Sequence, residues 1–171
     1  MKSFVRDIDY IHGNVQTIYV NDPLSDLAMK DVLSKIKNSD VIIISMLIRI
    51  SMDKGMSTIH STHADLLLKI DKLKIPTVGL SFGSPYLPEY KSLDAYLCTY
   101  GYGSVSMNAA TNALFGRADI SGKLPINLNS TYKRGDGQIL KKNYKIFDSK
   151  IDFDLSDPIS IVKKAIENNV F

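Results

Sequence analysis

Apolar residues recur along this chain in two alternating rhythms. Phe4, Ile8 and Ile11 share one helical face, and Gly13-Asn14 supplies a stop. Thr17-Ile-Tyr-Val20 is a short β-rich run closed by Asn21-Asp22-Pro23 and predicts a strand. A helix follows, with Leu27, Val32 and Ile36 on its apolar side. Residues 41–46 are continuously apolar apart from Ser45 and predict a strand buried on both faces. Residues 51–61 predict a loop. The next helix takes Thr62 as its N-cap and Asp65 in its first turn, with Leu66, Ile70 and Leu73 as its stripe. Strands are predicted at Pro76-Thr-Val-Gly-Leu80 and over 95–99, with a short helix or turn framed by Pro85 and Pro88 between them. Residues 104–115 form a helix rich in small side chains, and residues 124–128 a last strand opening on Leu124-Pro125-Ile126.

Strands that alternate with helices predict an α/β fold: a three-layer α/β/α sandwich around a mostly parallel sheet. From Tyr132 the composition turns polar and charged. The division expected is an α/β domain over 1–131, then a linker and terminal helix over 132–171. Asp157 as N-cap, Pro158 at the first helical position and the stripe Ile159, Val162, Ile166 mark that helix.

Composition narrows the function. The chain has 171 residues, 44% of them hydrophobic and 23% charged, enough for one domain with a substantial core. A net charge of +3, evenly spread, gives no nucleic-acid footprint. No apolar run is long enough to span a membrane. Met1-Lys-Ser-Phe-Val-Arg-Asp7 has no signal-peptide pattern, so either the protein is intracellular or this is not the natural start. The single Cys98 excludes an internal disulfide and sits in a strand-like run that favours a buried, inert thiol.

Several motifs compete with blander readings. Gly79-Leu-Ser81-Phe-Gly83 fits the G-x-S-x-G elbow of serine hydrolases, yet His12, His60 and His63 all precede Ser81, and the prolines oppose the helix an elbow needs. His60 and His63 with Asp53 or Asp65 complete no metal-ligand motif. Gly101-Tyr-Gly103 lacks the rest of a dinucleotide fingerprint and reads as a tight turn. Asn129-Ser-Thr131 matches a glycosylation acceptor with no role assigned. Arg49, Ser84, Tyr86 and Tyr100 fall near the carboxyl ends of strands, where open α/β sheets bind ligands. With Asp53, the one carboxylate in the loop after residue 50, they are the candidate substrate-contact residues. No catalytic residue, metal or cofactor is assigned.

Asp40-Val-Ile-Ile-Ile44, Pro76-Thr-Val-Gly-Leu-Ser-Phe-Gly-Ser-Pro-Tyr86, Asp94-Ala-Tyr-Leu97, residues 109–116 and Ser121-Gly-Lys-Leu-Pro-Ile126 follow one another in an order and spacing that resembles the second domain of family-3 glycoside hydrolases, in the β-N-acetylhexosaminidase-like branch. The resemblance covers roughly residues 7–129. It implies a flavodoxin-like sheet whose first strand, ahead of the helix holding Phe4, is not in this sequence. It also implies a non-catalytic domain of an enzyme of carbohydrate metabolism, packed on a catalytic barrel and walling a sugar site. Relatives of the β-glucosidase type lend a glutamate from the loop that here holds Asp53; no glutamate is present, so the chain alone is expected to be inactive. The tail resembles a linker towards a β-lactamase-like domain, and the parent enzyme would be exported or periplasmic. The alternative is a freestanding small-ligand or protein-interaction module. A sheet edge left open predicts self-association or marginal stability.

Overall fold

Phe4 and Ile8 lie one helical turn apart, and both are buried on α1 (Lys2–His12). The helix ends where Gly13 takes φ 74° and its N–H donates to the Asp9 carbonyl at 2.8 Å, a left-handed cap that glycine enters without steric cost. The coordinates are a computed structural model that describes residues 1–20, 23–50, 58–87 and 90–143. Asp53 and the terminal helix expected over 157–166 lie outside the described residues, as does Pro88.

The helix α2 (Asp26–Ile36) starts at Ser25, whose Oγ accepts from the Ala28 N–H at 3.3 Å. Its buried stripe is Met29, Val32 and Ile36. Leu27, placed on that stripe by the sequence, is 80% exposed, because two residues before Met29 is about 200° around the helix. The strand β1 (Ile42–Ile48) follows, then α3 (Ser61–Asp71), β2 (Thr77–Gly83), a 3₁₀ turn (Tyr90–Ser92), β3 (Ala95–Cys98) and α4 (Ser104–Leu114). The cap of α3 is His60, not Thr62: the His60 Nδ1 accepts from the Thr62 N–H at 3.2 Å. Thr62 Oγ1 accepts instead from the Leu24 N–H at 3.1 Å, tying the entries of α2 and α3 together.

The three strands form one parallel open sheet in the order β1-β2-β3, with Ile42 opposite Thr77 and Val78 opposite Ala95. This is a small α/β fold. Side chains alternate across the sheet. Val78, Leu80 and Phe82 enter a core with Phe4 and Ile8 of α1, Met107 and Ala110 of α4, and Phe115. The Phe4 and Phe82 rings meet edge to face, centroids 5.2 Å apart. Ile42 belongs to a second core, with Met29, Val32 and Ile36 of α2 and Leu66 and Ile70 of α3. Leu67, Leu87 and Leu93 form a third, smaller cluster against Met46 and Tyr96. The doubly buried strand is therefore β2, buried from Thr77 to Phe82. The expectation for residues 41–46 is corrected: only Ile42 and Ile48 of β1 are buried, since β1 has a strand on one side only among the described residues.

Two expected strands are not strands. Residues 17–20 join no ladder. Residues 124–128 form no strand either; Pro125 has no N–H, and Leu124 bonds the chain that folds back on it, donating to the Asp136 carbonyl at 2.7 Å and accepting from the Gly135 N–H at 2.8 Å. An antiparallel bridge joins Ile120 to Leu140, and the Asn143 N–H reaches the Gly116 carbonyl at 2.9 Å. Among the described residues, no helix is long and apolar enough to cross a membrane.

Candidate functional site

Parallel strands bring their carboxyl ends to one side, and the chain turns there over tyrosines. Ile48 closes β1, and its carbonyl accepts from the Ser84 N–H at 2.9 Å, locking the ends of β1 and β2 together. Gly83 lies between, at φ 104°; a Cβ there would run into the Ile48 carbonyl oxygen, so the close approach of the two strand ends requires glycine. Ser84 is buried, and its Oγ accepts from the Tyr86 N–H at 3.4 Å. Thr58 Oγ1 donates to the Tyr86 carbonyl at 2.9 Å. Tyr86 is thus fixed through its backbone while its side chain remains 40% exposed.

After β3, Thr99 Oγ1 lies 2.9 Å from the carbonyls of Ser81 and of Gly101, holding a turn in which Tyr100 adopts φ 58°. That left-handed conformation is unusual for a bulky side chain and signals local strain. Tyr100 is exposed, and so is Tyr102. The Arg49 guanidinium lies over the Tyr102 ring, 5.6 Å from its centroid, a cation–π geometry. Arg49, Tyr86, Tyr100 and Tyr102 make a rim of one cation and three aromatic side chains. Ser84 is beneath it as a support and is not open to a ligand. Tyr102 escaped the sequence reading; its signal was the Gly101-x-Gly103 turn, which presents the intervening side chain outward.

Below the rim, on the α3 face, lie Tyr96, Cys98 and Ser81. Tyr96 donates its hydroxyl to the Pro85 carbonyl at 2.8 Å. Burial is the chief reason that its phenol is pushed well above the ordinary range. Burial likewise raises the Cys98 thiol, which disfavours the reactive thiolate. Tyr100 is pushed up to about 12, first by burial and then by the neighbouring Cys98 and Tyr86, so its hydroxyl stays a neutral donor through the physiological range. Ser81 is fully buried within β2, not on an exposed turn, beside Tyr96 and Cys98. The elbow geometry of a serine hydrolase is absent at this residue.

Among the described residues, no group of three His, Cys, Asp or Glu side chains is placed to hold a metal ion. The rim's chemistry is that of contact: flat aromatic faces, a delocalised cation and phenol hydroxyls. No described carboxylate pair stands beside it. In comparisons with known proteins, no family model matches the chain, and no curated protein matches it.

Proposed function

We propose that this chain is a non-catalytic second domain of a glycoside hydrolase, of the β-N-acetylhexosaminidase or β-glucosidase type, which walls a sugar site with its tyrosine rim. The observation that carries the reading is the rim itself: Arg49, Tyr86, Tyr100 and Tyr102 at the carboxyl ends of a parallel sheet, where open α/β sheets take their ligands. Aromatic faces pack on the apolar faces of sugar rings, and phenol and guanidinium donors fix the hydroxyls. Retaining hydrolysis needs two groups flanking the glycosidic bond; this chain is assigned neither, so both belong to a partner barrel domain. The resemblance of the segments around Ser81 and Lys123 supports the same assignment.

The test is a titration of the isotope-labelled chain with N,N′-diacetylchitobiose, paired with an assay on an aryl N-acetylglucosaminide. The expected result is chemical-shift change confined to the rim, weakened at least about tenfold (1.4 kcal/mol) by Tyr102→Ala, with no hydrolysis. Hydrolysis by the chain alone would refute the non-catalytic role.

A second reading rests on Leu47, Ile50 and Val105, exposed apolar side chains in the segments that flank the rim. Tyrosine and arginine beside exposed aliphatic groups also suit a protein contact. Shifts that ignore the sugar would favour that reading.

A further inference from the structure

We infer that the looped-back arm over residues 116–143 is a docking surface for an anionic polysaccharide, a chain of sugars bearing repeated carboxylates. An even spread of the +3 net charge is the expectation from composition, and the chain departs from it. Residues 1–115 hold eleven basic and eleven acidic side chains, and residues 144–171 hold four and five. Residues 116–143 hold six basic side chains, Arg117, Lys123, Lys133, Arg134, Lys141 and Lys142, against Asp119 and Asp136. The surplus of the whole chain therefore sits on one short segment, where it makes a local positive field. Both carboxylates of the arm are engaged within it. Asp119 Oδ2 pairs with Lys141 Nζ at 3.0 Å, and Asp136 Oδ2 accepts from the Lys133 N–H at 2.7 Å. Lys123, Lys133 and Arg134 join no ion pair among the described residues.

The backbone sets these charges in a line. Ile120 bridges Leu140, the Leu124 N–H donates to the Asp136 carbonyl at 2.7 Å, and the Leu128 N–H donates to the Tyr132 carbonyl at 3.0 Å. The two limbs of the arm thus run antiparallel in one constant register, and their side chains alternate between two sides. Ile120, Leu124, Ile126, Leu128 and Leu140 are half-buried, whereas the odd-numbered residues 119–127 and 131–141 are exposed. The exposed side holds three lysines in successive rows. Lys141 stands opposite Asp119, Lys123 Nζ donates to the Gly137 carbonyl at 2.7 Å, and Lys133 falls opposite Asn127, whose Oδ1 accepts from the next N–H, that of Arg134, at 2.8 Å. Rows four residues apart are separated by about 13 Å at about 3.3 Å per residue, so a long chain lying along the arm meets all three. The side chains also choose among polyanions. No aromatic residue is on the exposed side, so nucleic-acid bases find no platform to stack on. Its large exposed aliphatic side chain is Ile139 alone, where a lipid surface takes up a broad apolar face. Its cations are lysines, which lack the planar fork that grips a phosphate in two places. Ser121, Asn127 and Thr131 stand among them and can bond sugar hydroxyls. The inference rests on the sugar reading of the rim for the class of polymer, and places that polymer on other residues.

The experiment titrates the full chain into a fluorescently labelled oligogalacturonate long enough to reach all three lysines, read by anisotropy. Binding is expected at low salt and should weaken at least about tenfold between about 50 and about 200 mM salt. The triple variant Lys123→Gln, Lys133→Gln, Arg134→Gln should bind at least about tenfold more weakly. The double variant Lys133→Gln, Arg134→Gln, which spares the Lys123 contact to Gly137, should lose affinity in the same direction. A control with Lys2→Gln, Lys30→Gln and Lys37→Gln removes the same charge elsewhere and should bind as the parent does. Absence of binding at low salt, an equal loss in the control, or equal affinity for a single-stranded oligonucleotide of the same charge would each overturn the inference. So would binding at least about tenfold tighter in Asp148→Asn, Asp152→Asn, Asp154→Asn, which would make the chain's own carboxylates the occupant. A loss produced by Tyr102→Ala in place of the arm variants would move the polymer to the rim. The titration with neutral N,N′-diacetylchitobiose reports on the rim alone, so the two readings can fail separately.

Discussion

Phe82 shows how much single residues decide here. It is fully buried at the centre of the α1/α4 core with its ring edge on Phe4. Phe82→Ala is expected to cost about 3–5 kcal/mol, read by urea unfolding. Gly83→Ala adds only a methyl group, yet it must hold φ 104° against the Ile48 carbonyl; a loss of about 1–3 kcal/mol is expected, with shifts concentrated at Ile48 and Tyr102. Cys98 is half-buried with its thiol raised by burial. Its alkylation by iodoacetamide at pH 7.5 is expected to be at least about tenfold slower in the folded chain than in urea. Residues whose role is set by local periodicity were legible: Phe4 and Ile8 are buried where their spacing put them. Arg49, Tyr86 and Tyr100 follow strand ends, where their place in the sequence put them. The His60 cap was not legible, because the choice between His60 and Thr62 depends on Leu24, distant in sequence, claiming the Thr62 hydroxyl.

At the scale of elements, helices were the easier part. The first three are marked by apolar stripes and α4 by its small residues, and these signals act within one or two turns. Residues 17–20 and 124–128 show why strands are harder. Both have strand composition, but a strand exists only when a neighbour completes its ladder, and no short window of sequence reports the neighbour. Residues 116–143 are instead held by scattered bonds. Asp119 is central among them: Oδ1 accepts from the Lys142 N–H at 2.8 Å and Oδ2 pairs with Lys141 Nζ at 3.0 Å. These bonds hold its carboxyl below the usual carboxylate range, the Lys142 N–H first. The stabilising contribution is thus present above the unfolded value, near 3.9, and is lost as pH falls through the lower folded one. Asp119→Asn removes the charge, and exchange of the Lys142 amide at pH 6 is expected to quicken about tenfold.

For the whole molecule, a β1 strand paired on one side only among the described residues predicts a modest thermal midpoint, below about 65 °C, by calorimetry. Stability should also decline in mild alkali. The unfolded phenol of a tyrosine ionises near 10, whereas Tyr100 is held to about 12 and Tyr96 higher still. Between those values the unfolded chain has released protons that the folded chain retains, so unfolding gains with every rise in pH. Urea midpoints at pH 9 and pH 11 should differ, and Tyr100→Phe should narrow the difference.

Met107 brings a different vulnerability. The residue is 6% exposed; its sulfur accepts from the Ser3 hydroxyl at 3.2 Å and from the Met1 amino group at 3.4 Å while its methylenes fill the core beside α1. Peroxide would add an oxygen to that sulfur and turn an apolar filler into a bulkier polar group. The seam between α1 and α4 would open from within. Oxidation of that one thioether should therefore damage the fold more than oxidation of an accessible methionine, and under peroxide Met107→Leu should keep its fold longer than the parent.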